Sequence, residues 1–324
     1  MSVREDILEL FEQNRGKYLS GEELAARFNV SRSAVWKAVK QLEAEGYEFD
    51  ASTGRGYSLR IDSDVISKSG IEKYLGNEAG RYDIRVYKTV TSTNTVLKEM
   101  AADGAAEGTV VAAEGQTAGR GRMNRRFHSP LGTGLYLSIL LRPVINAGEA
   151  LFITTAAAVA VARTVEDISG KKAGIKWVND VLIDGRKICG ILTEASLNME
   201  SGEMQYAVCG IGVNITPPAG GFPEEIKDIA GAVFDDPPGS DVKNRIAAGI
   251  IKKFMEYYNM LPEHEFFTEY VSRSVTVGER ITVLGRGEPR KALALSIDSS
   301  CGLLVRYEDG SEEVLNSGEV SIRR

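Results

Sequence analysis

The residues with the clearest potential for chemistry are the arginines of residues 115–127, Gly-Gln-Thr-Ala-Gly-Arg-Gly-Arg-Met-Asn-Arg-Arg-Phe. This segment holds four arginines and no acid, although the whole chain has a net charge of -6. A guanidinium can bind a phosphate or carboxylate through two parallel hydrogen bonds, and glycines let the backbone approach a ligand closely. The composition indicates an anion-binding loop, while a disordered surface loop or a nucleic-acid loop fits it equally well.

Two other segments combine polar side chains with missing side chains at strand positions. Residues 175–180, Ile-Lys-Trp-Val-Asn-Asp, end a predicted strand with polar groups, and Lys187 follows on a hairpin. Residues 210–215, Gly-Ile-Gly-Val-Asn-Ile, form a strand with two glycines, which weaken a sheet unless something packs on them. We expect a ligand against this sheet. A simple turn at residues 179–180 and a solvated Lys187 are the structural alternatives.

Common catalytic and nucleotide-binding signatures are missing from the sequence. The only histidines, His128 and His264, do not form a zinc-protease motif, and no Gly-x-Ser-x-Gly elbow occurs. Residues 185–190 have the outer glycine spacing of a phosphate-binding loop, but Ile191 occupies the place of its lysine. A nucleotide would therefore have to be bound by some other device.

The first 60 residues have the pattern of a winged helix-turn-helix. Ser20 and Glu23 form a capping box at the second predicted helix, Ser31 precedes the third helix, and residues 47–59 are predicted to form a two-stranded wing. The third helix carries the apolar residues Val35, Trp36, Val39 and Leu42 and ends at Gly46.

The third helix and the wing are candidates for DNA binding. Residues 30–41 contain three cationic side chains and no acid, and the first turn of a recognition helix meets phosphates and base edges. A packing or dimerisation module with a solvated basic face is the alternative. The candidate DNA-binding residues are Ser31, Arg32, Ser33, Lys37, Lys40 and Arg55.

The remaining elements predict an α+β fold. Residues 82–270 mix strands with helices, including a long alanine-rich helix over residues 150–168. Asp184 and Gly185 lie between two apolar runs, which is typical of a hairpin with a type I′ turn. From about residue 275, short strands alternate with glycine-containing turns, one of them at residues 285–287, which predicts a small β-barrel.

Overall composition predicts a cytoplasmic globular protein. The 324 residues suggest two or three domains. The three cysteines are few, odd in number and far apart, so neither a disulfide framework nor a Cys-x-x-Cys site is expected. The N-terminus lacks an apolar signal region, and no apolar run reaches the ~18 residues of a membrane span. We expect no membrane association.

Four of these segments together resemble the signature blocks of biotin–protein ligases. They follow the order and spacing of that family, beginning with Ser-Thr-Asn at residues 92–94, and the helix-turn-helix extends the resemblance over essentially the whole chain. It implies the bifunctional class, biotin–[acetyl-CoA-carboxylase] ligase and biotin operon repressor. The blocks are residues 119–125, 176–180, 186–191 and 210–214.

The resemblance also implies an architecture, cofactors and partners. We expect a winged helix-turn-helix DNA-binding domain over residues 1–62, a mixed α/β sheet ligase domain over 63–274 and an SH3-like β-barrel over 275–324. Biotin, ATP and Mg²⁺ are the implied small molecules. The implied partners are apo biotin carboxyl carrier protein, operator DNA and a second copy of the chain, because the adenylate is expected to favour a homodimer that meets a pseudo-palindromic operator.

In the implied reaction, the carboxylate of biotin attacks the α-phosphate of ATP, and biotinyl-5′-adenylate then gives biotin to a lysine of the carrier protein. Two anions must meet, so cations and Mg²⁺ are needed. The residues that the resemblance makes catalytic are Arg120, Arg122, Lys187 and Asp180, the last also being the metal candidate. Those expected to bind biotin are Ser92, Thr93, Asn94, Gln116, Arg120, Gly121, Arg122, Lys187, Gly190 and Gly212. Those expected to bind the nucleotide are Arg122, Arg125, Phe127, Lys176, Asn179, Lys187 and Asn214.

The chain departs from the family pattern at four positions. Asn124 stands at the third glycine of Gly-Arg-Gly-Arg-x-Gly-Arg, where we expect it to adopt the positive φ that asparagine tolerates. Phe127 replaces a tryptophan that is common beside the adenine and offers a smaller stacking face. Val178 replaces a proline, and Thr95 a glutamine. None removes a charged candidate, so we expect effects on ATP affinity and loop ordering rather than on the reaction.

Two alternatives belong to other classes of function. A DNA-binding sensor could bind biotin without chemistry and would then release no pyrophosphate from ATP. A lipoate–protein ligase would use a related sheet, although the Gly-Arg-Gly-Arg block and the helix-turn-helix both favour biotin.

Overall fold

The computed structural model describes residues 3–145, 149–197, 204–239, 241–284, 288–316 and 318–322. The chain divides into two units, one made of Met1–Arg81 with Asp236–Gly249 and the other of Tyr82–Asp235 with Ile250–Arg324. This grouping differs from the three predicted domains, because residues 63–81 belong with the N-terminal helices. The predicted boundaries near residues 62 and 274 stay a prediction.

The N-terminal unit is a winged helix-turn-helix, as predicted. The capping box of Ser20 and Glu23 is present, and the Ser31 hydroxyl accepts a hydrogen bond from the backbone N–H of Ala34 at 3.2 Å. The elements are α1 (Val3–Gln13), α2 (Gly21–Arg27), α3 (Arg32–Glu45), the wing strands β1 (Phe49–Ser52) and β2 (Gly56–Leu59), and α4 (Lys68–Leu75).

Trp36 differs in burial from the other large apolar residues of α3. It is 49% exposed, whereas Val35, Val39 and Leu42 are fully buried. A helix advances by 3.6 residues per turn, so the face through residues 35, 39 and 42 is completed by Ala38. Trp36 lies beside this buried face, on the exposed flank of α3.

A buried group of charges ties residues 236–249 to the N-terminal helices. Arg15 pairs with Glu12 at 2.7 Å and with Asp241 at 3.0 Å, and all three side chains are nearly inaccessible. Burial raises the pKa of Glu12 despite the neighbouring guanidinium. Asp64 accepts a hydrogen bond from the backbone N–H of Lys243 at 2.9 Å, at the start of α7 (Val242–Asn259). These contacts explain why one unit contains distant parts of the chain.

The second unit contains a seven-stranded mixed sheet in the order β3-β4-β5-β9-β8-β7-β6. Only the β3–β4 pair is parallel. Beside the strands the unit has α5 (Thr93–Ala102), the alanine-rich α6 (Ala150–Ser169) and α8 (Phe266–Ser272). The strands are β3 (Asp83–Val90), β4 (Thr109–Gln116), β5 (Gly134–Leu141), β6 (Gly174–Lys176), β7 (Asp180–Ile183), β8 (Arg186–Leu197) and β9 (Met204–Asn214).

The β7–β8 hairpin has the predicted turn. Asp184 and Gly185 both adopt positive φ, 50° and 75°, as the two central residues of a type I′ turn require. The turn starts the β7–β8 pairing, and a β-bulge beyond the Leu182–Lys187 pair shifts the register by one residue, so that Asp180 lies opposite Gly190. The carboxylate residue at the start of β7, Asp180, is thereby placed next to Gly190 of β8.

The C-terminal strands form a five-stranded antiparallel sheet in the order β13-β12-β11-β10-β14. Four of the strands match predicted segments, and the fifth, at residues 319–322, was not predicted because it is only four residues long and half polar. The predicted turn at residues 285–287 lies outside the described residues. Within the described ranges, no helix combines the length and apolar character needed to cross a membrane. The strands are β10 (Arg280–Leu284), β11 (Arg290–Ile297), β12 (Leu303–Tyr307), β13 (Glu312–Leu315) and β14 (Glu319–Ile322).

Candidate functional site

The arginine-rich segment folds back on itself as a compact turn. The backbone N–H of Gly121 donates to the carbonyl of Arg125 at 2.7 Å, and that of Phe127 donates to the carbonyl of Gly119 at 2.9 Å. The guanidinium of Arg126 also donates to the carbonyl of Thr117 at 3.2 Å. The turn directs the aromatic ring at its end toward the sheet.

The left-handed residue within the described part of this turn is Met123. It has φ 54° and ψ 38°. Met123 is the middle residue of the loop that the Gly121–Arg125 hydrogen bond closes, so the reversal of the chain falls there. Its side chain is 58% exposed and meets no packing obstacle.

The floor of the site is built from glycines on β8 and β9, and Phe127 lies on it. A Cβ atom at Gly212 would lie 2.5 Å from the Phe127 ring, and one at Gly190 would lie 3.0 Å from it. The ring also packs edge-on against Tyr136, with centroids 6.4 Å apart. The glycines were expected to leave room for a ligand. They admit Phe127, so a ligand on this floor would also contact that ring.

The polar residues at the start of α5 form a fixed hydrogen-bonded set with Gln116. The Gln116 carbonyl oxygen accepts from the backbone N–H of Thr93 at 2.9 Å, and its amide donates to the Ser129 hydroxyl at 3.0 Å. Asn94 is closely packed, because a Cβ at Gly210 would lie 2.1 Å from its Oδ1. Ser92, Thr93 and Asn94 are all buried.

Glu194 is a site residue that sequence reasoning missed. It accepts hydrogen bonds from Asn94 and Lys98, each at 2.9 Å, and forms an ion pair with Arg120 at 3.2 Å. Burial alone would raise the pKa of Glu194, but the hydrogen bonds and the two cations outweigh it and lower the pKa. Its position is two strand periods beyond Gly190, on the same face of β8, and Lys98 is one helical turn beyond Asn94. The strand and helix periodicities could therefore have predicted Glu194 and Lys98 as site residues.

The predicted catalytic groups lie along the β7–β8 edge of the same pocket. The Lys187 ammonium is 2.6 Å from the Asp180 carboxylate, and Arg122 donates to the Asn179 side-chain carbonyl at 3.2 Å. The Asn179 amide in turn donates to the carbonyl of Ile191 at 2.8 Å. These contacts hold Lys187 and Arg122 in one pocket, as the sequence blocks predicted.

One pocket collects every predicted biotin-binding and nucleotide-binding residue. Asn214 lines it, and its amide donates to the carbonyl of Gly231 at 2.9 Å, which fixes a neighbouring wall. The lining residues that sequence reasoning did not single out include Tyr136, Phe222, Ile226, Ile229, Ala230, and Gly318 and Val320 from the C-terminal sheet.

The lining of this pocket is strongly cationic. It contains six cationic side chains and one carboxylate among the described residues, the latter being Asp180. Within those same ranges, no cluster of three or more possible ligand groups could hold a metal ion by itself. A hard divalent cation that arrives with phosphates needs only one or two protein carboxylates, which Asp180 can supply. The arrangement suits two anions brought together.

Cys189 is a packing residue. It is fully buried beside the glycine floor, and burial raises the pKa of its thiol. The protonated thiol is a poor nucleophile, so Cys189 is not expected to take part in chemistry.

All six candidate DNA-binding residues of the N-terminal unit are solvent-exposed. Five lie at the start of α3 or along it, and the sixth, Arg55, lies on the wing. The Ser31 and Ser33 hydroxyls lie 2.8 Å apart, and Lys40 pairs with Glu43 at 2.5 Å. The Arg55 guanidinium stacks over the Tyr18 ring at 4.3 Å from its centroid. The wing arginine is therefore held in place by an aromatic ring of its own unit.

Comparison with known proteins gives a consistent result for the whole chain. Family models match over residues 86–214 (Biotin/lipoate A/B protein ligase family), 3–58 (HTH domain) and 276–323 (Biotin protein ligase C terminal domain). The chain is 33% identical to the bifunctional ligase/repressor BirA of Bacillus subtilis over 319 residues, 98% of each chain. It is 28% identical to that of Escherichia coli, over 95% of this chain and 94% of the relative.

Other relatives and structures agree with these matches. The biotin–[acetyl-CoA-carboxylase] ligase of Mycobacterium tuberculosis is 31% identical, over 81% of this chain and 97% of the relative. Among solved structures, the biotin protein ligase of Aquifex aeolicus in complex with biotin and ATP superposes with a TM-score of 0.62 at 29% identity. That match covers 75% of this chain and 99% of the Aquifex chain.

The close approach of Asn94 to β9 predicts the effect of adding one methyl group. Gly210→Ala places a Cβ 2.1 Å from Asn94 Oδ1, and we expect it to lower the free energy of unfolding by about 1–3 kcal/mol. Denaturant unfolding measures this. The control is Gly80→Ala, where a Cβ meets nothing within 4 Å. Equal unfolding free energies in the two variants would contradict the packing described here.

Proposed function

The chain belongs to the biotin/lipoate A/B protein ligase family, among its bifunctional ligase/repressor members, and from this premise we propose that it activates biotin with ATP and transfers it to a carrier-protein lysine. The observation that carries the proposal is the pocket in which six cations surround a glycine floor next to a fixed polar set. Such a pocket can orient a neutral heterocycle at one end and two anions at the other.

The buried polar set is suited to the ureido ring of biotin. That ring offers two N–H donors and one carbonyl acceptor. Both hydrogens of the Asn94 amide are used, by Leu192 and Glu194. Oδ1 already accepts from the Ser138 hydroxyl at 2.6 Å, so Asn94 can offer a ureido N–H only the second lone pair of Oδ1. The other polar groups within this end of the pocket, at residues 92, 93 and 116, supply the remaining donors and acceptors.

The cationic end is suited to the first chemical step. An oxygen of the biotin carboxylate attacks the α-phosphorus of ATP, the bond from that phosphorus to the β-phosphate bridging oxygen breaks, and pyrophosphate leaves. Arg120 and Arg122 would hold the two anions together, and Lys187 would stabilise the charge that develops on the phosphate oxygens. Mg²⁺ would neutralise phosphate charge when bound, with Asp180 as its protein ligand.

The nucleotide would lie on the side of the pocket lined by Lys176, Asn179 and Asn214, with Arg125 over its phosphates. Phe127 would stack on the adenine. In the second step, the neutral ε-amine of a lysine on apo biotin carboxyl carrier protein attacks the acyl carbon of the adenylate, and AMP leaves as the amide forms. The folded-back arginine turn would limit the access of water to the adenylate.

We also propose that the chain is a cytoplasmic, biotin-responsive repressor. The exposed cations of α3 and the wing support contacts with operator DNA. A homodimer favoured by the bound adenylate would present two helix-turn-helix units to the half-sites of a pseudo-palindrome. The affinity of the chain for operator DNA would then depend on the biotin supply, because the adenylate forms in the ligase site.

Removing either of two cations tests the ligase proposal. Lys187→Ala and Arg122→Ala should each lower the transfer of labelled biotin to carrier protein by roughly 10²–10³-fold, because each removes a charge that stabilises the transition state. The control Lys291→Ala removes an exposed lysine that does not line the pocket and should keep the normal rate. Near-normal rates in both pocket variants would rule out this site.

DNA footprinting tests the repressor proposal. The region upstream of biotin genes should be protected when biotin and ATP are both present and much less without them, because the adenylate promotes the dimer. A double variant, Arg32→Ala with Lys37→Ala, should lose protection while it still transfers biotin. Protection that is equal or absent under both conditions would contradict the proposal.

A further inference from the structure

Trp36 is placed unlike any other large aromatic residue of the N-terminal unit. Among the described residues the chain has two tryptophans: Trp177 is 3% exposed, and Trp36 is 49% exposed. The backbone of α3 cannot turn Trp36 inward, because the buried face of this helix is already filled by Val35, Ala38 and Val39. The indole is therefore fixed on the outer face.

The neighbours of Trp36 on that face are cationic or hydroxyl side chains. Ser33 and Lys40 lie one helical turn before and after it, and Arg32 and Lys37 flank it; all four are exposed. Val39, at i+3, is buried on the inner side, and the acid that follows along this stripe, Glu43, is paired with Lys40. An apolar ring surrounded by positive charge suits a polyanion that also offers an apolar group.

We infer that Trp36 reads bases, its indole packing on thymine methyl groups in the major groove of duplex DNA. This inference rests on the proposed repressor function and adds to it the residue that confers part of the sequence preference. Contacts to phosphates position a protein without selecting sequence, whereas contacts to base edges select it. The thymine C5-methyl is the apolar feature of the major groove.

The position of Trp36 within α3 supports this assignment. It is the fifth residue of the helix, in the N-terminal part that contacts base edges in helix-turn-helix proteins. The cations around it match the phosphates that border the groove. Duplex DNA therefore accounts for both the charge and the exposed ring, because its phosphates are anionic and its thymines carry a methyl group.

Replacing thymine by deoxyuridine tests the inference, because it removes the methyl group alone. In the site that the wild-type chain protects, we expect at least one such replacement to weaken wild-type binding roughly 5–10-fold. Trp36→Ala should bind the thymine site roughly 10-fold more weakly and should no longer distinguish thymine from uracil there. Trp36→Phe should keep part of the distinction.

Two controls separate this result from other causes. Lys37→Ala should weaken binding to all sequences and keep the thymine preference. It should also lower the slope of the logarithm of the binding constant against the logarithm of the salt concentration by about one. Biotin transfer by Trp36→Ala should equal that of the wild type, which shows that the chain is folded.

Three outcomes would overturn the inference. The first is a Trp36→Ala chain that keeps the wild-type preference for thymine. The second is a Trp36→Ala chain whose DNA binding weakens only because it no longer dimerises, which would assign the ring to a contact between copies. A wild-type chain that protects no site at all would overturn the repressor proposal itself and this inference with it.

Discussion

Concentrated positive charge is the constraint around which the second unit is organised. Six cationic side chains line one pocket of a protein whose net charge is -6. Like charges at this density repel one another strongly where water is partly excluded. Glu194 and Asp180 oppose them, one holding Arg120 and Lys98 and the other holding Lys187. The carboxylates keep the cations in place until anionic substrates arrive.

The sheet supplies the geometry that this charge arrangement needs. Missing side chains on β8 and β9 let Phe127, Lys187 and Asn94 approach the strand backbone. The type I′ turn starts the β7–β8 pairing and a β-bulge shifts it by one residue, so Asp180 faces Gly190 across the hairpin. The polar set and the charged edge thus have fixed positions before any ligand binds, which lowers the entropic cost of binding.

Much of this site could be predicted from sequence because its residues lie in short, ordered blocks. The pocket contains every residue expected to bind biotin or nucleotide. Glu194 and Lys98 were missed because each acts one or two structural periods beyond a recognised block, where only the strand and helix repeats connect them to it. Met123 adopts the left-handed conformation because it is the middle residue of the loop that the Gly121–Arg125 hydrogen bond closes.

Long-range packing was the part of the fold that sequence could not give. The apolar residues of α3 do not by themselves show which of them is buried, and only in the assembled helices does Ala38 complete the buried face while Trp36 stays exposed. The grouping of residues 236–249 with the N-terminal helices depends on the Arg15–Asp241 ion pair, which no local sequence pattern predicts. By contrast, the central strands β4 and β5 are continuous buried apolar runs that can be predicted locally, and the β7–β8 hairpin is predicted by its turn residues.

The central claim is that this pocket joins the carboxylate of biotin to the α-phosphate of ATP. Exchange of labelled pyrophosphate into ATP measures that step directly, without DNA or carrier protein. The account predicts rapid exchange that requires biotin and that lipoate neither supports nor inhibits at equal concentration. Absence of biotin-dependent exchange, or equal exchange with lipoate, would contradict it.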